Sequence, residues 1–142
     1  MAKNKISRRH FIGALATSGV VAGLAGCAIV PVHRAYLQDG HLILKLDEIE
    51  ELLSEKDAFV LQADGLPEPL LVIRTATGGL NVLGSTCTHQ MCQVRPGRGF
   101  LNCPCHGSTF DLDGQVVRGP ATKPLTSYRF TTNASSMEIW LQ

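Results

Sequence analysis

Cys103-Pro104-Cys105-His106-Gly107-Ser108-Thr109-Phe110-Asp111, read with Cys87-Thr88-His89-Gln90-Met91-Cys92 upstream of it, is where the chemistry of this chain is concentrated. Four of the five Cys and two of the five His fall within residues 87–106. Thiolates and imidazoles are ligands for iron and zinc, so this density points to a metal or to disulfides. Cys87 with His89, and Cys103 with His106, can each grip one ion, which leaves Cys92 and Cys105 over, one in each segment. A closed zinc site would satisfy the ligand spacing but explains neither the spare Cys pair nor the Gly-Ser-x-Phe-Asp that follows. A domain held by disulfides alone is disfavoured, because Cys103 and Cys105 stand too close to pair easily with each other.

Outward from these segments the chain reads as all-β. Its 142 residues allow one domain and a tail, which makes a multidomain enzyme unlikely on size, and 14 Gly with 7 Pro favour turns over long helices. Residues 35–37 and 41–46 flank Asp39-Gly40, a turn pair that predicts an antiparallel hairpin. Ile49, Leu52 and Leu53 behind an acidic start predict one short helix over 47–53. Residues 58–63, 70–75 and 80–83 are β-rich runs parted by Asp-Gly, Pro and Gly-Gly breakers, and 127–132 with 137–141 predict a closing hairpin. Residues 84–125 lie between these groups, as loops carried on a rigid sheet.

The first residues are a separate device. Lys3, Lys5, Arg8 and Arg9 precede a stretch, residues 11–32, without a charged side chain. That is long enough to cross about 30 Å of hydrocarbon as a helix. Without those four cations the body carries 9 basic against 12 acidic groups, so it offers no basic footprint for nucleic acid. Arg8-Arg9-His10-Phe11-Ile12 resembles the twin-arginine export signal, with Gly13 where a Lys is usual. Leu24-Ala25-Gly26-Cys27 is similar to a lipobox, in which Cys27 would become the lipid-modified amino terminus. The alternative is a retained transmembrane helix. Either outcome tethers the body to the periplasmic face of the inner membrane, since the basic end stays in the cytoplasm. The division is thus a signal or anchor over 1–32 and a folded domain over 33–142.

The two Cys/His segments resemble the cluster-binding loops of the Rieske iron-sulfur family. Residues 103–111 match the second loop, Cys87-Thr88-His89 with Cys92 the first, and Gly119-Pro120-Ala121 with Pro124-Leu125 looks like the family's proline loop. The resemblance implies an antiparallel β-sandwich bearing a cluster-binding subdomain made of two loops. It implies a [2Fe-2S] cluster held by Cys87 and Cys103 on one iron and His89 and His106 on the other, a Cys92–Cys105 disulfide, and a hydrogen bond from Ser108 to the cluster. A hydrogen bond that relatives make with a Tyr hydroxyl is excluded at Phe110. The implied function is electron transfer, as a subunit of an oxidoreductase complex rather than as an enzyme alone. The favoured setting is a membrane quinol-oxidising complex similar to cytochrome bc, with cytochrome b and c partners and quinol. Against it stand Gln90 and Met91, where such members tend to carry Leu-Gly. The alternative is a small subunit of an exported molybdopterin oxidoreductase resembling arsenite oxidase, without quinone binding.

Overall fold

Leu70-Leu71-Val72-Ile73 and Ala58-Phe59-Val60-Leu61 are unbroken apolar runs, the pattern of strands covered on both faces. In the computed structural model, which describes residues 30–141, they lie at the centre of the molecule. β1 (Val32–Arg34), β4 (Ala58–Gln62), β5 (Leu70–Arg74) and β6 (Leu80–Gly84) form one sheet in the order β1-β4-β5-β6. Side chains alternate across it. Phe59, Leu61, Leu70, Val72 and Val82 enter an upper core, while Ala58, Val60, Leu71, Ile73 and Leu83 enter a lower one.

The upper core is closed by a second sheet, β11-β12-β3-β2, made of β2 (Leu37–Gln38), β3 (His41–Lys45), β11 (Phe130–Thr132) and β12 (Ser136–Trp140). Leu42, Leu44, Met137 and Ile139 are its inward set. Asp39 and Gly40 take φ of 49° and 81° between β2 and β3, the paired left-handed turn that the dipeptide predicts. α1 (Leu46–Glu55) is the one helix among the described residues, and none is long and apolar enough to cross a membrane. It starts with Asp47 and Glu48 at its positive end and buries Ile49 and Leu53, one turn apart, in the upper core.

The lower core is covered by the segment expected to be loops alone. It holds a third sheet, β10-β9-β8-β7, built from β7 (Arg95–Pro96), β8 (Leu101–Asn102), β9 (Thr109–Phe110) and β10 (Val116–Arg118). The expected fully antiparallel sandwich with a two-loop subdomain is therefore corrected at two points: the subdomain has its own sheet, and β1 pairs with β4 in parallel. Strands of two or three residues are too short for an alternation to be read from sequence. Val94, Leu101, Phe110, Ala121 and Leu125 fasten this layer to the central sheet. Each fully buried Leu or Phe among them contributes about 1.5–3 kcal/mol.

Candidate metal centre

β6 delivers the first Cys/His loop, and β8 and β9 bracket the second. The two loops share one backbone design. The Cys87 N–H donates to the Cys92 carbonyl at 2.8 Å and the Met91 N–H donates to the Cys87 carbonyl at 3.0 Å. In the second loop the Cys103 N–H donates to the Ser108 carbonyl at 2.8 Å and the Gly107 N–H to the Cys103 carbonyl at 3.0 Å. The fifth residue of each loop is left-handed, Gly107 at φ 76° and Met91 at φ 58°. Glycine adopts that conformation freely, whereas a residue with a Cβ does so at a cost.

This design sorts the donors by depth. Cys87 and Cys103 open their loops as free thiols, 0% and 2% exposed, within the lower core. His89 and His106 are exposed, with ring centroids 4.9 Å apart in an edge-to-face arrangement. Cys92 and Cys105 are joined in a disulfide that ties one loop to the other. The sulfurs of Cys92, Cys103 and Cys105 lie within 4.8 Å of one another. Two of the three are spent in the disulfide, so that trio is no ligand set, and Cys103 alone of it keeps a thiol. A domain held by two disulfides is excluded by the free Cys87 and Cys103. Cys27, Arg8 and Arg9 lie outside the described residues.

Residues 119–125 form a third wall. The Ala121 N–H donates to Ser108 Oγ at 3.0 Å, and Thr88 Oγ1 donates to the Lys123 carbonyl at 2.6 Å. The Gly119-Pro120 peptide is cis. Ser108 is fully buried, and the Ala121 bond uses an oxygen lone pair, so the hydroxyl proton is left for a further partner. Ser85 Oγ, buried on the strand that leads to Cys87, has no hydrogen-bond partner among the described residues. Buried hydroxyls normally find acceptors. Two buried thiols, in a layer that also holds two buried hydroxyls whose protons have no assigned acceptor, fit an anionic, sulfur-rich centre, and two imidazoles at the rim could complete a mixed S/N ligand set.

One participant gave no signal in the sequence. Glu68 accepts the Thr86 N–H at 2.9 Å, one residue before Cys87, and Tyr128 OH donates to it at 3.3 Å.

The model of the Rieske [2Fe-2S] domain family matches residues 43–129. Over 138 residues the chain is 30% identical to the cytochrome b6-f complex iron-sulfur subunit 2 of Trichormus variabilis, covering 84% of this chain and 76% of that protein. A stretch of 54 residues, 37% of the chain, is 48% identical to a Bacillus subtilis protein named as a Rieske 2Fe-2S iron-sulfur protein, YhfW, and spans 11% of that relative's length. Among solved structures, the cyanobacterial plasma membrane Rieske protein PetC3 from Synechocystis PCC 6803 is 29% identical with a TM-score of 0.55. That match covers 63% of this chain and 91% of the other.

Proposed function

The chain belongs to the Rieske [2Fe-2S] domain family, and from that premise we propose that it is the iron-sulfur subunit of a membrane quinol-oxidising complex of the cytochrome bc type. Its cofactor is a [2Fe-2S] cluster, which supplies one-electron transfer at a potential raised by the imidazole ligands. Cys87 and Cys103 would hold one iron through thiolates, and His89 and His106 the other through ring nitrogens. The observation that carries this reading is the sorting by depth: two thiols with almost no exposure and two imidazoles at the surface, 4.9 Å apart.

Buried thiolates keep their charge away from water, while exposed imidazoles bring the redox centre to within contact of a partner. The ring nitrogen that each His leaves free of metal can accept a hydrogen bond from a quinol hydroxyl and take its proton. With a cluster held by these imidazoles, one electron of the quinol would pass to the cluster where its proton passes to the ring nitrogen. The disulfide and the wall at 119–125 exclude water from the sulfur side, which protects the cluster from hydrolysis and strengthens every hydrogen bond to sulfur.

The segment before β1 would act as export signal or membrane anchor, with Arg8 and Arg9 read by the export receptor and the tether being either a retained helix or lipid on Cys27; the domain, on the periplasmic face, already includes Val30 and Val32, so the boundary expected at 33 lies a few residues too late. The chain's 30% identity to a cytochrome b6-f iron-sulfur subunit supports a cytochrome b/f-like partner complex. The second reading, a small subunit of an exported oxidoreductase that binds no quinone, is favoured by one observation: exposed Gln90 and Met91 stand beside His89. Addition of a quinone-site inhibitor to the purified native complex separates the two. A changed EPR spectrum of the reduced cluster supports quinol oxidation. An unchanged spectrum, with the cluster intact, overturns it in favour of the second reading.

A further inference from the structure

Glu68 sits between Pro67 and Pro69 in the connection from β4 to β5, and two distant parts of the chain, residues 84–86 and Tyr128, converge on its carboxylate. Oε2 accepts the Thr86 N–H at 2.9 Å, and Oε1 accepts from the Tyr128 hydroxyl at 3.3 Å. A Cβ at Gly84 would collide with both oxygens, so any side chain there would have to push the Glu68 carboxylate aside. The Ser85 N–H donates to the Pro69 carbonyl at 2.9 Å, which docks the segment carrying Glu68 along the same strand. The chain from Gly84 to Thr86 is therefore fixed from one side by a single acidic segment, immediately before the first ligand loop.

A glutamine could accept the same N–H and meet the same hydroxyl. What the carboxylate adds is charge. Its side-chain partner, Tyr128, is itself neutral: burial first, then the Glu68 charge, push its pKa up to about 12, so it remains a phenol that donates. Chain geometry alone puts the carboxylate within about 8 Å of the Cys87 Cα, because consecutive Cα atoms are about 3.8 Å apart. That is no more than a screening length, across a partly buried path.

We propose that Glu68 is a positioning residue for the cluster and also sets its potential, by fixing Thr86 at the root of the first ligand loop and by placing a carboxylate charge beside it. The inference rests on Cys87 and His89 serving as ligands. A fixed negative charge disfavours the reduced state, which carries one more electron, so Glu68 holds the potential down. The substitution that isolates this effect is Glu68→Gln, which keeps the hydrogen bonds and removes the charge. Gly84→Ala does the opposite, pushing the carboxylate off Thr86 while leaving its charge in the molecule.

The experiment uses the full-length, cluster-loaded protein with two readouts: EPR-monitored redox titration, and hydrogen exchange at the Thr86 amide. Glu68→Gln should favour reduction three- to tenfold, a rise of about 30–60 mV for one electron, with Thr86 still protected. Glu68→Asp, which retains the charge, should restore most of the wild-type potential. Gly84→Ala should speed Thr86 exchange at least tenfold. An unchanged or lower potential in Glu68→Gln, with the cluster present, overturns the electrostatic role. Unchanged Thr86 protection in Gly84→Ala overturns the positioning role. A wild-type chain that takes up no cluster overturns the ligand reading and this inference together, and is seen before any variant is made.

Discussion

Replacing Ser108 with alanine removes one oxygen and should change two quantities that can be measured separately. Ser108 is fully buried and its Oγ accepts the Ala121 N–H at 3.0 Å. The substitution strands that donor between the second loop and residues 119–125, at a cost of about 1–3 kcal/mol in stability. The second quantity depends on the hydroxyl's own proton, which in the proposed function is given to a sulfur of the cluster. A bond from a neutral donor to charged sulfur is worth about 1.5 kcal/mol. It gains strength on reduction, when the centre becomes more negative, so its loss must lower the potential. At about 1.36 kcal/mol and about 59 mV per tenfold change in a one-electron equilibrium, the drop is at most about 65 mV, the full value being reached if the bond acts only in the reduced state. EPR-monitored titration reads the potential, and thermal loss of the cluster's visible circular dichroism reads the stability. A potential that is unchanged or higher while stability falls as stated would falsify the donation of the proton to sulfur.

Phe110 is fully buried in the same core as Cys87 and Cys103. Phe110→Tyr should raise the potential by several tens of millivolts, the yield of one added donor at about 59 mV per tenfold. A crystal structure with the new hydroxyl in reach of the Cys87 sulfur and no change in potential would count against the tuning. Met91 is 77% exposed at φ 58°, so Met91→Gly should relieve about 1–2 kcal/mol of left-handed cost against about 0.5–1 kcal/mol of added chain entropy. The expected result is a small rise in the temperature of cluster loss; a fall would mean that the Met side chain packs on its loop. Tyr128 has its pKa raised from 10.0 to about 12, so the folded state favours the neutral phenol. Its contribution to stability is complete below pH 10 and is lost as pH rises through about 12. Denaturant titrations across that window should show a decline that Tyr128→Phe abolishes, and an identical decline in the variant would assign it to other groups.

The parts of the fold that sequence made legible are those in which one local rule suffices. The Asp39-Gly40 turn, the helix with Ile49 and Leu53 on one face, and the doubly buried runs at 58–61 and 70–73 each follow from a pattern within a few residues. The parallel seat of β1 against β4 could not be read in this way, because three residues at a sheet edge carry no period. The small sheet of β7 to β10 was hidden for a similar reason: its two-residue strands lie among Gly and Pro that signal turns. At the site, the cofactor class and the Cys92–Cys105 pairing were visible because few other arrangements use six Cys and His so close together. Glu68 was not, since its role depends on Gly84, Thr86 and Tyr128 arriving from elsewhere in the chain.

The matched backbones of the two loops also show which residues are available for partner choice. At the third position the first loop has His89 and the second Cys105, at the fourth Gln90 against His106, and at the sixth Cys92 against Ser108. Cys105 and Cys92 are committed to the bond between the loops. Ser108 holds the 119–125 wall, and both His stand at the proposed ligand positions. Of the side chains on the exposed rim of the first loop, Gln90 and Met91 alone have no such duty. Met91 even occupies a backbone conformation for which the second loop uses Gly107, so its presence there disfavours the fold instead of helping it. Met91 thus stands 77% exposed in a strained backbone conformation, next but one to His89. Under the proposed function, scaffold and specificity are divided within one six-residue loop: Cys87, His89 and Cys92 would build the centre, and Gln90 and Met91 are where a quinol pocket and a protein surface would be told apart.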